Sequence, residues 1–183
     1  MSINFQPVAY SDANYLKTIA LFFEAFPSAQ TLPRWVMQYR MRKGKPGFSI
    51  LYDDDIWIGF IYIKYYKDIV FIKFLAISEL HRSSGYGSKV MDSIKDRYVG
   101  QRIVLNIEAL DKYANNYQQR VKRKRFYIKN GFTPAKYMIK EASEKQEMLI
   151  YGGVITKEEI ISMYKQFLGK FLYNLLKIEV IDL

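Results

Sequence analysis

The chain of 183 residues contains no cysteine and one histidine, His81. Disulfides, thiolate metal sites and a cysteine nucleophile are therefore excluded. A single imidazole cannot build a histidine-rich metal centre, and it makes a Ser-His-Asp triad a poor fit. No apolar run reaches the roughly 18 residues of a spanning helix, so no membrane crossing is expected. The opening Met1-Ser2-Ile3-Asn4-Phe5-Gln6 has no basic stretch followed by an apolar run, so no signal peptide is expected either. These absences point to a soluble, cytoplasmic protein.

What is present is apolar and basic. Half the residues are hydrophobic and 16% are aromatic, enough to build a sizeable core, and the length suits one domain with or without an appendage. The formal charge of +10 attracts polyanions, whether nucleic acid, anionic lipid or a phosphate-rich cofactor. Charge alone does not choose among them.

Ile3 to Tyr10 reads as a strand, and Ser11-Asp12 as the cap of a helix carrying Leu16, Ile19, Ala20, Phe23 and Phe26 on one face. Pro27 stops that helix, and a shorter one follows Leu32-Pro33. After the loop Gly44 to Gly47, β-branched and aromatic runs at 48–52, 56–66 and 69–77 are parted by Asp53-Asp54-Asp55 and Lys67-Asp68, which predicts a meander of three strands. Phe74-Leu75-Ala76-Ile77 is apolar at consecutive positions, as in mid-sheet. A helix over Ser84 to Tyr98, a strand over Arg102 to Glu108, a helix over Gln118 to Asn130 and strands at about Lys136 to Glu141 and Glu147 to Tyr151 complete the pattern. From Thr156 a stripe of Ile160, Tyr164, Phe167, Leu168, Phe171, Leu175 and Leu176 predicts one long amphipathic helix. It suits packing on the domain or on a second subunit in a homodimer; attachment to a membrane surface is the less favoured reading. The fold class is a mixed α/β sheet of about seven strands with helices on both faces, as a domain over 1–155 and an extension over 156–183.

The most informative segment is the run from Leu75-Ala76-Ile77 through Arg82-Ser83-Ser84-Gly85-Tyr86-Gly87-Ser88, where a buried strand gives way to a helix. A helix start has unpaired N–H groups and partial positive charge, which suit an anion. Glycine at 85 and 87 lets phosphate approach the main chain, and Arg82 adds charge. A dinucleotide fingerprint would need glycine where Val90 stands, and no P-loop run exists. The loop by itself could equally be a packing turn.

Arg82-x-x-Gly85-x-Gly87 after an apolar strand, followed by a helix, a strand and then Phe126-Tyr127-Ile128-Lys129-Asn130-Gly131-Phe132, resembles the two motifs of the GNAT acyltransferase superfamily. The resemblance implies an N-acetyltransferase fold, with acetyl-CoA as cofactor and a primary amine as acceptor. It implies that amides around Ser83, Ser84, Gly85, Tyr86, Gly87 and Ser88 hold the coenzyme A pyrophosphate. It also implies that the backbone of Leu75, Ala76 and Ile77 pairs with the pantetheine arm where strands splay apart. Tyr127 matches the family's tyrosine near the cofactor sulfur, a general acid for the departing thiolate. A phenol of pKa about 10 is a sensible donor to a thiolate of about 8.5. One departure stands out: Arg120 and Arg123 occupy places where many members carry Asn and Ala, and Asn115 or Asn116 is a candidate replacement for that Asn.

A general base is needed to take the amine's proton. Some members carry a Glu where Phe71 stands here. Glu108 is the chosen candidate, with a structural or substrate-orienting role as the alternative; Glu24, Glu79 and Asp111 are others. The basic run Arg120, Lys122, Arg123, Lys124 and Arg125 reads as a solvated helix face, a contact for the cofactor's 3′-phosphate, or a nucleic-acid patch. His81 reads as a surface residue. The rival reading of the whole chain is a non-catalytic basic module binding nucleic acid or an acidic partner; the favoured one expects neither nucleic acid nor membrane.

Overall fold

The computed structural model describes residues 3–9, 11–26, 47–141 and 144–183, apart from the side chain of Lys170. The helix expected after Leu32-Pro33 lies outside them. The described strands are β1 (Ile3–Pro7), β2 (Phe48–Asp53), β3 (Ile56–Tyr66), β4 (Ile69–Ile77), β5 (Arg102–Glu108), β6 (Thr133–Glu141), β7 (Glu144–Tyr151) and β8 (Glu179–Asp182). The helices are α1 (Tyr15–Ala25), α2 (Tyr86–Arg97), α3 (Tyr117–Lys129), α4 (Lys157–Leu168) and α5 (Lys170–Leu175). The strands hydrogen-bond in the order β1-β2-β3-β4-β5-β7-β6-β8 as one mixed α/β sheet. Two compact units divide the chain, Met1–Ile63 with Ile72–Arg97 and Lys64–Phe71 with Tyr98–Leu183.

In the first unit β2 pairs antiparallel with β1 and β3, with Ile50 opposite Phe60. Phe22 of α1 is fully buried and meets Phe48, Phe60 and Phe74 with ring centroids 6.4, 5.8 and 5.1 Å away. The Phe48 and Phe74 contacts are edge-on and the Phe60 contact tilted, and an aromatic pair adds about 0.5–1.5 kcal/mol beyond the area it buries. The inward face of α1 differs from the expected stripe. Tyr15, Thr18, Leu21 and Phe22 are buried, whereas Leu16 is exposed. Trp57 Nε1 donates to Thr18 Oγ1 at 3.2 Å, so a polar residue that hydropathy discards marks this face. The cap also shifts: Asn14 precedes the helix, and Asp12 Oδ1 accepts from Asn14 N at 2.7 Å in an Asx turn. α2 buries Val90, Met91 and Ile94, as its spacing predicts.

In the second unit β7 lies antiparallel to β5 and β6, with Leu105 opposite Leu149. The single terminal helix is a point of correction. Helix α4 ends at Leu168, the chain turns at Gly169 (φ 81°), and after α5 it forms β8, which pairs with β6. Among the described residues the sheet thus has eight strands, where about seven were expected. Ile160, Tyr164 and Leu168 enter a core with Ile69, Phe71 and Val104, while Phe171 and Leu175 are exposed.

Arg102, at the start of β5, fixes α4. Its guanidinium donates to both oxygens of Asp68 and of Glu159, and to the Val154 carbonyl, at 2.7–3.0 Å. Glu159 also closes a capping box with Thr156. The guanidinium is the leading cause holding both carboxyls below their ordinary 3.8 and 4.5. Carboxylates lowered in the fold add stability above their unfolded pKa and lose it as pH falls through the folded value. Arg102→Met is expected to lower the melting temperature by about 5 °C at neutral pH. The gap to wild type should hold above pH about 5 and narrow below about 4 in thermal melts.

Candidate cofactor loop and catalytic side chains

Strand β4 ends at Ile77 with Phe74 and Ala76 buried and Leu75 and Ile77 half-buried. A 3₁₀ turn over Glu79–His81 follows, then an exposed stretch from Arg82 to Gly85, then α2. Ser83 (φ 64°) and Gly85 (φ 84°) both lie in the left-handed region. A Cβ at Gly85 would project into open space, with no atom within 4 Å, so backbone conformation and access both favour glycine there. The first bond of α2 runs from Lys89 N to Gly85 O at 3.2 Å. The amides of Tyr86, Gly87 and Ser88 precede it and have no acceptor within the helix. The loop therefore offers successive N–H groups at the positive end of a 12-residue helix, which fits a pyrophosphate.

The side chains around the loop are fixed. Arg82 Nε donates to the Ile77 carbonyl at 3.0 Å, and Nη2 to Glu24 Oε1 of α1 at 3.3 Å. Ile77, expected to pair with pantetheine, thus already accepts one hydrogen bond. A Cβ at Gly59 would lie 2.1 Å from the Ala76 carbonyl, so only glycine admits this approach of β3 to β4. The Tyr86 ring sits between His81, with centroids 5.4 Å apart, and Lys89, whose Nζ is 4.9 Å from the ring centre. Lys89 in turn pairs at 3.3 Å with buried Asp53, whose Oδ1 has no partner among the described residues. His81 is therefore half-buried against the loop.

Glu108, at the end of β5, has both oxygens taken: Asn116 Nδ2 donates to Oε1 at 3.0 Å, and Arg123 Nη1 to Oε2. Arg120 is pinned by Asn116 Oδ1 at 2.7 Å and the Ala109 carbonyl at 2.8 Å. Lys124 pairs at 2.7 Å with buried Glu147. Three of the five cations in the basic run are thus engaged, while Lys122 and Arg125 are exposed and pair with no described carboxylate. The spacing Asn116, Arg120, Arg123 and Lys124 puts these residues on adjacent faces of α3, a signal the sequence carried. Tyr127 is buried, with the Phe126 and Phe132 ring centroids 5.0 and 5.7 Å away. Burial pushes its phenol above 10.0, with Arg123 partly opposing, so it keeps its proton across the neutral range.

The other carboxylate candidates hold other posts. Asp111 Oδ1 accepts from Tyr113 N at 2.9 Å, Glu24 pairs with Arg82, and Glu79 is exposed in its turn. Among the described residues no group of three His, Asp or Glu could hold a metal, and no helix is long and apolar enough to cross a membrane. The loop lies in the first unit, and Glu108 and Tyr127 in the second. Lys89→Met is expected to destabilise the fold by about 1–3 kcal/mol by leaving Asp53 unpaired. Adding Asp53→Asn should recover part of that loss in urea unfolding; a purely additive double variant would contradict the pairing.

A family model described as an acetyltransferase (GNAT) domain matches residues 45–134, a span that includes the loop and Tyr127. No curated protein matches the chain by sequence. Among solved structures, a GNAT-family acetyltransferase described as putative from Bacteroides thetaiotaomicron is 23% identical with a TM-score of 0.69, over 93% of this chain and 98% of its own. An aminoglycoside 6'-N-acetyltransferase complexed with coenzyme A is 13% identical with a TM-score of 0.59, over 82% and 96%. Arabidopsis thaliana Naa50, in complex with the bisubstrate analogue CoA-Ac-MVNAL, is 18% identical with a TM-score of 0.55, over 82% and 99%. The strand order, the Arg-x-x-Gly-x-Gly turn and the matched model agree: the chain has a GNAT-like fold, and residues 45–134 match the GNAT acetyltransferase domain.

Proposed function

We propose that the protein is an acetyl-CoA-dependent N-acetyltransferase acting on a primary amine by direct transfer in a ternary complex. The observation that carries this reading is the turn at Arg82–Gly85, where left-handed Ser83 and Gly85 lead into a helix start with acceptor-free amides. It is supported by the family match and by the coenzyme A complexes among the similar folds. Acetyl-CoA, when bound, supplies the acetyl thioester. The amides of residues 83–88 and the Arg82 guanidinium would hold its pyrophosphate, and the backbone of Leu75, Ala76 and Ile77 its pantetheine arm. With no cysteine in the chain, an acyl-thioenzyme is excluded, which supports direct transfer in a ternary complex.

Tyr127 is assigned the general acid, delivering its Oη proton to the leaving sulfur; its raised pKa keeps that proton in place. Glu108 is assigned the base, directly or through water: Asn116 and Arg123 each take one acceptor position, and each carboxylate oxygen keeps a second lone pair.

Thiol release from acetyl-CoA on addition of primary amines and short peptides tests the reading cleanly, because the protein contributes no thiol of its own. Amine-dependent release with intersecting initial-rate lines is expected; parallel lines would rule out direct transfer. Tyr127→Phe should lower kcat about 100-fold with the KM for acetyl-CoA nearly unchanged. Below pH about 10 the wild-type rate should show no loss from Tyr127 ionisation. Glu108→Gln should lower turnover and leave acetyl-CoA affinity intact; unchanged turnover would make Glu108 an anchor for α3 only.

A further inference from the structure

The loop that would hold a pyrophosphate carries an unexpected neighbour, the carboxylate of Glu24. A negative charge beside an anion site opposes the anion unless it does something else there. The Arg82 contacts show what that is. A guanidinium has five N–H donors in a rigid fork. Its Nε–Nη2 edge is spent on fixed protein acceptors, the Ile77 carbonyl at 3.0 Å and Glu24 Oε1 at 3.3 Å. Nη1 and the outer end of the fork pair with no described acceptor. The chain turns left-handed at the next residue, Ser83, so the free end is followed at once by the amides of the helix start.

We infer that Glu24 is a positioning residue for the cofactor: with the Ile77 carbonyl it fixes the Nε–Nη2 edge of Arg82 and presents the other end to the phosphates. The inference rests on the proposed coenzyme A site and assigns Glu24 to binding, not to proton transfer. Two effects compete. Glu24 touches the guanidinium directly, whereas a phosphate at the free end lies farther off, beyond the cation and partly in water. Arg82 and Glu24 side chains are 46% and 58% exposed, so screening weakens the distant repulsion more than the direct contact. Orientation wins, by a modest margin. An arginine left free would sweep many rotamers and lose that entropy each time a phosphate bound.

The test is calorimetric titration of coenzyme A into wild type, Glu24→Gln, Arg82→Gln and the double variant at low salt. Both side chains are exposed, so all four proteins should melt alike. Glu24→Gln is expected to weaken binding about two- to fivefold, the range of an exposed ion pair. Arg82→Gln should weaken it more, and the double variant should match Arg82→Gln alone, because Glu24 acts only through Arg82. Glu24→Asp should recover part of the loss. The KM for acetyl-pantetheine, which lacks the pyrophosphate, should be the same for wild type and Glu24→Gln, an outcome that general loosening of α1 would not give. Binding by Glu24→Gln as tight as or tighter than wild type would overturn the inference while leaving the coenzyme A site intact. So would a double variant weaker than Arg82→Gln. No binding to wild type would defeat the underlying reading itself.

Discussion

A helix that begins where a buried strand has just ended has to leave its first amides without acceptors, and that constraint organises the first unit. The β4 strand is pinned by the close approach of Gly59 to the Ala76 carbonyl and by Ser78 N donating to the Ile58 carbonyl at 2.8 Å. The chain then turns through two left-handed residues, and α2 starts at Tyr86. Val90, Met91 and Ile94 hold the helix down by burial. Lys89, tied to Asp53, and Tyr86, against His81, fix its first turn from the side. The free amides are thus a consequence of packing, available to an anion without further rearrangement.

The chain's basic excess is less available than the formal charge suggests. Asp53, Glu108 and Glu147 are largely buried, and each is engaged by a cation from α2 or α3. Glu159 and Asp68 take Arg102 on the same principle. The cations on Asp53, Glu108 and Glu147 serve the fold, since removing one would leave a largely buried carboxylate without its counter-charge, whereas Asp68 and Glu159 keep contact with water. Lys122 and Arg125 are different, exposed and free of described carboxylates.

The sequence announced the meander, α2, α3 and the loop because each is built from a strong local signal: β-branched runs, a turn cluster, or glycines at a strand-to-helix switch. It misassigned the inward face of α1 because Thr18 is buried through its bond to Trp57, a contact between residues 39 apart. The four residues of β8 carry no pattern of their own and form a strand only through pairing with β6. The break at Gly169 was written in the sequence, but the apolar stripe on either side outweighed it. At the candidate site, Arg82, Gly85 and Tyr127 were legible from motif spacing. Glu24 and Asn116 were named only as a candidate base and as a candidate stand-in for the family's Asn; their contacts come from partners brought near by folding, Arg82 for the one, Glu108 and Arg120 for the other.

The central claim, that the start of α2 holds coenzyme A, is tested most directly by titrating acetyl-CoA into wild-type and Gly87→Glu protein in a calorimeter. The substitution places a carboxylate in the first turn of α2, where a helix tolerates it, so the variant should fold and its melt can confirm this. The account predicts one-site binding to wild type and its loss in the variant. Equal binding by both proteins would place the cofactor elsewhere, and binding by neither would make the loop a packing turn.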